Sequence, residues 1–489
     1  MAIVPSPQQP EVMPRGARSR LAGLDRRSLG RADVAAQSVA VMAPCAAGAT
    51  VPLLIAESGA ALVGSIVVAV LLAGLVSRVL TEFASRLTAP GALYTYAAKG
   101  LGATAGFATA AAMILGYGAL AMFTLTESAA YLLRVVGVDR PSAAIVVTTI
   151  VLVGAGSTVV LLRGIRASAR VGLVVELAAV AILLVVAIVV MAAVPGGVDL
   201  TQLTATPTGL GDFATGVALA TCALIGFESA ASLSVEARAP LRSVPSAIRG
   251  SLVFGAVVVL VVAVAQDVGR ASASSSVGDG NIDVLLGRVG GAWFAPVVDV
   301  GIVASFLACT LASVTALARL LLSLSREGLL PPGIGSTHVR FKTPVVAIAS
   351  AMAVIVAVPA IATVCGAGLR SMTGSLAAAP VIGFIASYVI VSVAAPVFLY
   401  RLGELRVRTV TVAAAAAVSF GVVGIVFVAA IMGTDWGLGA IGALLWFLAA
   451  AVTYVVVRTR HPDRLRGIGL HDTPTRADLW SGHADRTMR

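Results

Sequence analysis

The chain has 489 residues, 58% hydrophobic and only 12% charged, with a formal net charge of +11 at pH 7. Soluble domains carry about 25% charged residues, so a water-soluble enzyme or binding module is excluded and an all-α polytopic membrane protein is expected. The positive charge raises nucleic acid as a partner, but its placement along the chain gives it another cause.

Residues 1–32 form a polar, proline-bearing tail without the short apolar core of a cleavable signal, so the first span is expected to be retained. Stretches long enough to cross about 30 Å of hydrocarbon as helices of roughly 20 residues then recur. They number twelve, at 34–57, 61–80, 103–132, 142–162, 170–194, 212–234, 248–267, 293–323, 344–366, 376–400, 409–432 and 437–458. The tail 459–489 is polar and expected to be disordered.

With both termini placed in the cytoplasm, 29 of the 34 Lys and Arg residues fall on the inner side. Five fall outside: Arg134, Arg140, Arg270, Arg288 and Arg370. This is the positive-inside distribution of an even number of spans. It accounts for the net charge without nucleic acid, and the expected location is the cytoplasmic (inner) membrane.

Two spans depart from plain lipid-facing helices. Span 1 holds MAPCAAGATVP, with Pro44 and Pro52 around a run of small residues, and span 6 holds CALIGFES. Proline removes a backbone donor and glycine weakens helix, so both are expected to be discontinuous, near residues 47 and 226. Non-helical backbone at membrane depth persists only where protein or a water-filled cavity satisfies it. Each break opens a unit of five spans, and an odd count inverts the second unit relative to the first. The expectation is a five-plus-five inverted repeat, residues 33–195 and 196–400, followed by two extra helices in 401–458. Paired breaks at matching positions point to a secondary transporter's binding site.

Four motifs in register resemble one family, the amino acid–polyamine–organocation superfamily of permeases. GFESAASLSVEARAPLRSVPSAI at 226–248 resembles its helix 6 motif, and ARLLLSLSREGLLP its helix 8 end, with Glu327 where Asp is usual. KTPVVAI, Lys342 to Ile348, resembles the start of helix 9, and PGALYTYAAKGLG the stretch before helix 3. The resemblance covers roughly residues 33–400. It implies twelve helices with a five-plus-five inverted repeat, and import or exchange of amino acids, polyamines or related amines. The chain departs from the pattern in two places: CAAGAT stands where Gly-x-Gly is common, and Cys222 where many relatives have an aromatic gate, a role Phe227 is placed to take.

A zwitterionic substrate is held by helix ends, amides facing its carboxylate and carbonyls its ammonium. The carboxylate is expected at Ala46, Ala47, Gly48, Ala49 and Thr50, with Cys45 also among the substrate-binding residues. The amine is expected at Cys222, Ala223, Leu224 and Ile225, with Gly226 and Phe227 also among the substrate-binding residues. Tyr117 and Tyr388 are further candidates for substrate contact. The bland alternative is that the small residues merely let helices pack closely.

Ionisable side chains inside spans are costly and mark function by default. Glu228, Glu176, Asp299 and Glu127 are the coupling or gating candidates, with Glu57 at a span edge and no Lys or Arg expected deep enough to pair with them. Unpaired buried carboxylates suit proton binding and release, so H⁺ is the expected coupling ion. Sodium is the rival, but Ser305, Thr310 and Ser313 on span 8 offer no adjacent hydroxyl pair. Cys45, Cys222 and Cys309 are read as small packed residues, so neither metal nor cofactor is expected. The four histidines lie outside the spans, and no Walker loop, HExxH or Ser/His/Asp set occurs. An exchanger, a nutrient sensor and a channel are the competing classes; oligomeric state is left open.

Overall fold

The structure is a computed structural model. It describes residues 24–471 except 139, 164, 194–208, 272–281, 339–340 and 470; the expected boundary between the two repeats, 195/196, and the tails 1–23 and 472–489 lie outside the described residues. Among the described residues twelve helices are long and apolar enough to span a membrane, in the order the sequence predicts. Helix satisfies every backbone donor and acceptor within its own segment, which hydrocarbon demands.

The first span is two helices, α1 (Arg31–Met42) and α2 (Pro44–Glu57), joined by Ala43 in the left-handed region. It is followed by α3 (Leu62–Ala84), a short α4 (Leu93–Leu101), α5 (Ala103–Val135), α6 (Ala143–Arg163) and α7 (Ile165–Ala193). The sixth span is α8 (Leu210–Cys222), a turn and a 3-10 segment over Phe227–Leu233. Next come α9 (Pro240–Ala271), a short α10 (Ile282–Arg288), α11 (Ala295–Arg326), α12 (Val345–Val364) and α13 (Leu369–Arg401). The chain closes with α14 (Val407–Ile431), α15 (Gly437–Arg460) and α16 (Pro462–Arg466). The sequence reading lacked α4, α10 and α16, each too short to span hydrocarbon.

In the first span, 83% of the most apolar stretch is buried, against 11% in the last. The interrupted helix therefore lies at the centre, packed by α7, α8, α9 and α11, and α15 at the periphery, where Leu438, Leu445 and Leu448 are exposed. No water drives apolar residues inward in a bilayer, so exposed leucine there marks the lipid face.

Both described tail segments dock on one end of the bundle. Leu29 donates its amide to the Glu236 carbonyl at 2.9 Å and accepts from Arg238 at 3.0 Å, while Leu24 packs with Val235 and Leu322. At the other terminus Gly469 donates its amide to Glu327 Oε1 at 3.1 Å, and the Tyr94 hydroxyl donates to Oε2. Burial and the neighbouring Glu327 push the Tyr94 phenol up; burial lowers the Lys99 ammonium, against the pull of Glu327. Disorder was expected from residue 459, yet α16 is helical and Gly467–Gly469 dock on the bundle, with Ile468 against the core. Arg319, counted from the sequence with a cytoplasmic connection, is instead inside α11 and 2% exposed. Its Nε and Nη2 reach Glu236 Oε2 and Oε1 at 2.7 and 3.0 Å, a two-pronged pair that compensates both buried charges.

Candidate functional site

The two breaks face each other. Ser38, one turn before the first break, donates its hydroxyl to the Phe227 carbonyl at 2.9 Å and accepts the Ala230 amide at 3.0 Å. Cys309 on α11 donates its thiol to the Val41 carbonyl at 2.9 Å. Gly226 has φ +115°, and a Cβ there would lie 2.6 Å from Val41 Cγ1 and 2.7 Å from the Met42 amide nitrogen. Only glycine meets both demands.

The first break lies earlier than expected. It is at Ala43, not near residue 47, and Ala47, Gly48, Ala49 and Thr50 are helical. Pro44 is the physical reason: proline fixes the φ a first helical residue needs and lacks the N–H that would be unpaired there. Pro52, read as the far bracket of the break, sits inside α2. Proline there cannot donate to the Gly48 carbonyl, and Gln266 on α9 reaches that carbonyl at 3.5 Å and the Ala49 carbonyl at 3.0 Å. The sequence reading missed Gln266, although an amide inside the apolar run VVAVAQ is itself a signal.

Two amides of the first turn of α2 meet protein side chains. Cys45 donates to Glu176 Oε1 at 3.1 Å, and Ala46 to Ser305 Oγ at 3.1 Å, while Ser305 donates to the same Glu176 oxygen at 2.9 Å. At the second break the amide of Gly226 donates to Glu228 Oε2 at 3.1 Å. Tyr388 donates to that oxygen at 2.9 Å and Tyr117 to Oε1 at 3.1 Å. Glu228 is thus fully buried among three donors, and the hydroxyls of the two candidate tyrosines hold it. Phe227 lies against Tyr388, with ring centroids 5.8 Å apart. Cys222 ends α8, and Ala223, Leu224 and Ile225 form the turn before Gly226; the amides of Leu224 and Ile225 return to the Thr221 carbonyl at 3.0 Å.

Asp299 and Glu127 stand apart from this centre. No cation was expected within reach of the intramembrane acids, but Arg134, at the end of α5, pairs with Asp299 at 3.4 Å. An α5 helix longer than the predicted span brings that arginine alongside α11. Glu127 accepts from Thr373 Oγ1 at 2.5 Å and, with Thr50, Glu57 and Asp435, lines a cavity of about 430 Å³ opposite the docked tails. Among the described residues no group of three His, Cys, Asp or Glu side chains is placed to hold a metal ion.

The family described as amino acid permease matches residues 32–470, nearly the whole chain. The chain belongs to that family. Among relatives of this chain, the branched-chain amino acid permease BcaP of Bacillus subtilis is 28% identical over 141 residues, 29% of this chain and 30% of that protein. BcaP of Lactococcus lactis is 34% identical over 137 residues, 27% of this chain and 29% of its own length. An uncharacterized transporter of Mycobacterium bovis is 29% identical over 375 residues, 74% of this chain and 78% of its own. The chain spans about 30% of the length of each BcaP, and about four-fifths of the mycobacterial transporter.

Proposed function

We propose that this permease is a secondary active transporter that moves amino acids or related organic amines across the cytoplasmic membrane by alternating access. The observation that carries the reading is the meeting of two interrupted helices, with the fully buried Glu228 at their junction. Helix ends at membrane depth present amides and carbonyls to a polar solute, and two arms joined only by a turn can tilt independently. Tyr117 and Tyr388 come from α5 and α13, so movement of the sixth span relative to either changes the donors around Glu228.

Coupling to protons fits these residues. Glu228 and Glu176 are deeply buried without a basic partner among the described residues, whereas Asp299 has one. The hydroxyls a sodium ion would need are engaged: Ser305 binds Glu176 and the Ala46 amide, and Thr310 meets the Phe306 carbonyl and Thr124. The two five-span halves, 33–195 and 196–400, would act as the inverted units, with both tails cytoplasmic. Docking of both described tail segments near the same end of α11 agrees with that orientation.

Purified protein in proteoliposomes, energised by an inward proton gradient, should accumulate labelled members of a panel of amino acids and amines. A protonophore should abolish the accumulation. Flux of none of them under any imposed gradient overturns the transport reading.

A further inference from the structure

We infer that Glu176 fills the place where a substrate carboxylate would bind, and that the preferred substrate is an organic ammonium compound without a free carboxylate. The inference rests on the transport reading and narrows its substrate class. A helix N-terminus at membrane depth is a ready anion site because its first amides lack intrahelical partners. At the start of α2 Pro44 has no amide to offer, and the next two go to Glu176 Oε1 and Ser305 Oγ. The chain's own carboxylate therefore occupies the position, and a second carboxylate brought beside it would meet like charge in a dry interior.

The other oxygen of the same group points to what is bound instead. Glu176 is 1% exposed, and its Oε2 has no hydrogen-bond partner among the described residues. A buried carboxylate oxygen left without a donor is costly, and an ammonium group supplies both a donor and the opposite charge.

The approach to the break carries the same sign. Thr50 lies five residues along α2 from Cys45, about 7 Å of helix rise, and lines the 430 Å³ cavity together with Glu57, Glu127 and Asp435. A neighbouring cavity of about 610 Å³ is lined by Glu57, Asp212 and Asp435. Among the described residues neither lining includes Lys or Arg, and the nearby Arg134 is paired with Asp299. A cleft lined by one sign of charge concentrates ions of the other. The described acids of these linings favour a cation over an anion.

The test uses matched pairs differing only in the carboxylate: leucine against 3-methylbutylamine, lysine against cadaverine, arginine against agmatine. Calorimetric titration of the full-length protein in nanodiscs should show at least one amine binding about tenfold or more tighter than its amino acid. Glu176→Gln keeps an acceptor for Cys45 but no charge; it should lose amine binding by about tenfold without gaining the amino acid. Glu176→Ala bares the amide and should reverse the preference. Tighter binding of the amino acids by the wild-type protein, or an unchanged preference in both variants, overturns the inference and leaves the transport reading standing. Binding and flux of no compound in the panel overturn both.

Discussion

At the first break a left-handed alanine and the proline after it turn the chain, and the amides exposed there are met by Glu176 from α7 and Ser305 from α11. At the second a left-handed glycine turns it, and the exposed amide is met by Glu228, two residues along the same segment. Each break is thus sealed by a glutamate, but one is borrowed across the bundle and the other is local. A local seal travels with its own segment. A borrowed one holds only while α7 and α2 keep their separation, so the first break is sensitive to the arrangement of the whole bundle and the second to its own turn and to two tyrosines.

The largest effect expected to separate the two breaks is that of Gly226→Ala. A methyl group there meets the Met42 amide as well as a side chain, at a φ that L residues avoid. A loss of about 3 kcal/mol or more is expected, seen as a collapse of the melting temperature or of the monodisperse yield in detergent. A variant that melts like the wild type would show that the two breaks do not touch.

Glu228→Gln comes next. Its amide nitrogen cannot accept, so one of three donors loses its partner, at about 1–3 kcal/mol. Transport should fall and lose its pH dependence, while Tyr388→Phe should lower transport and keep the pH profile. An unaltered profile in Glu228→Gln would remove Glu228 from coupling.

Gln266→Leu should cost about 1 kcal/mol, because the Ala49 carbonyl loses its donor beside Pro52. No loss in a thermal melt would mean that the proline is accommodated without help.

Gly48→Ala should be the mildest, within about 0.5 kcal/mol. A Cβ there meets only Leu183 and Val262 at 3.6 Å, ordinary contact, in a helix that favours alanine. A severe defect would return the first break to the position read from the sequence.

That misplacement shows what could be read from the chain alone. Span number, and which two spans are broken, follow from hydropathy, proline and glycine, all local properties. Gly226 marks its break because left-handed backbone selects glycine. Ala43 carries no such mark: alanine at φ +46° is kept by its surroundings and not by preference. The identity of Glu228 as a central acid was visible in GFES, but its clamp was not, since Tyr117 and Tyr388 lie 111 and 160 residues away. Pairs of that separation, such as Arg134 with Asp299 or Arg319 with Glu236, depend on how long helices lie side by side and leave no spacing to read. The docked tail went unseen for a related reason: its polar composition resembles disorder, and what orders it is the distant carboxylate of Glu327.

That docking ties both described tail segments to one helix. Residues 24–29 are fastened to Val235–Ala237 and Leu322, and Gly469 to Glu327, so both strings of the purse are knotted around the end of α11. Parting α11 from its neighbours on this face requires untying both. Ending the chain before Gly469, or adding bulk there, is therefore expected to loosen the packing around Glu327 and to leave the two breaks in place.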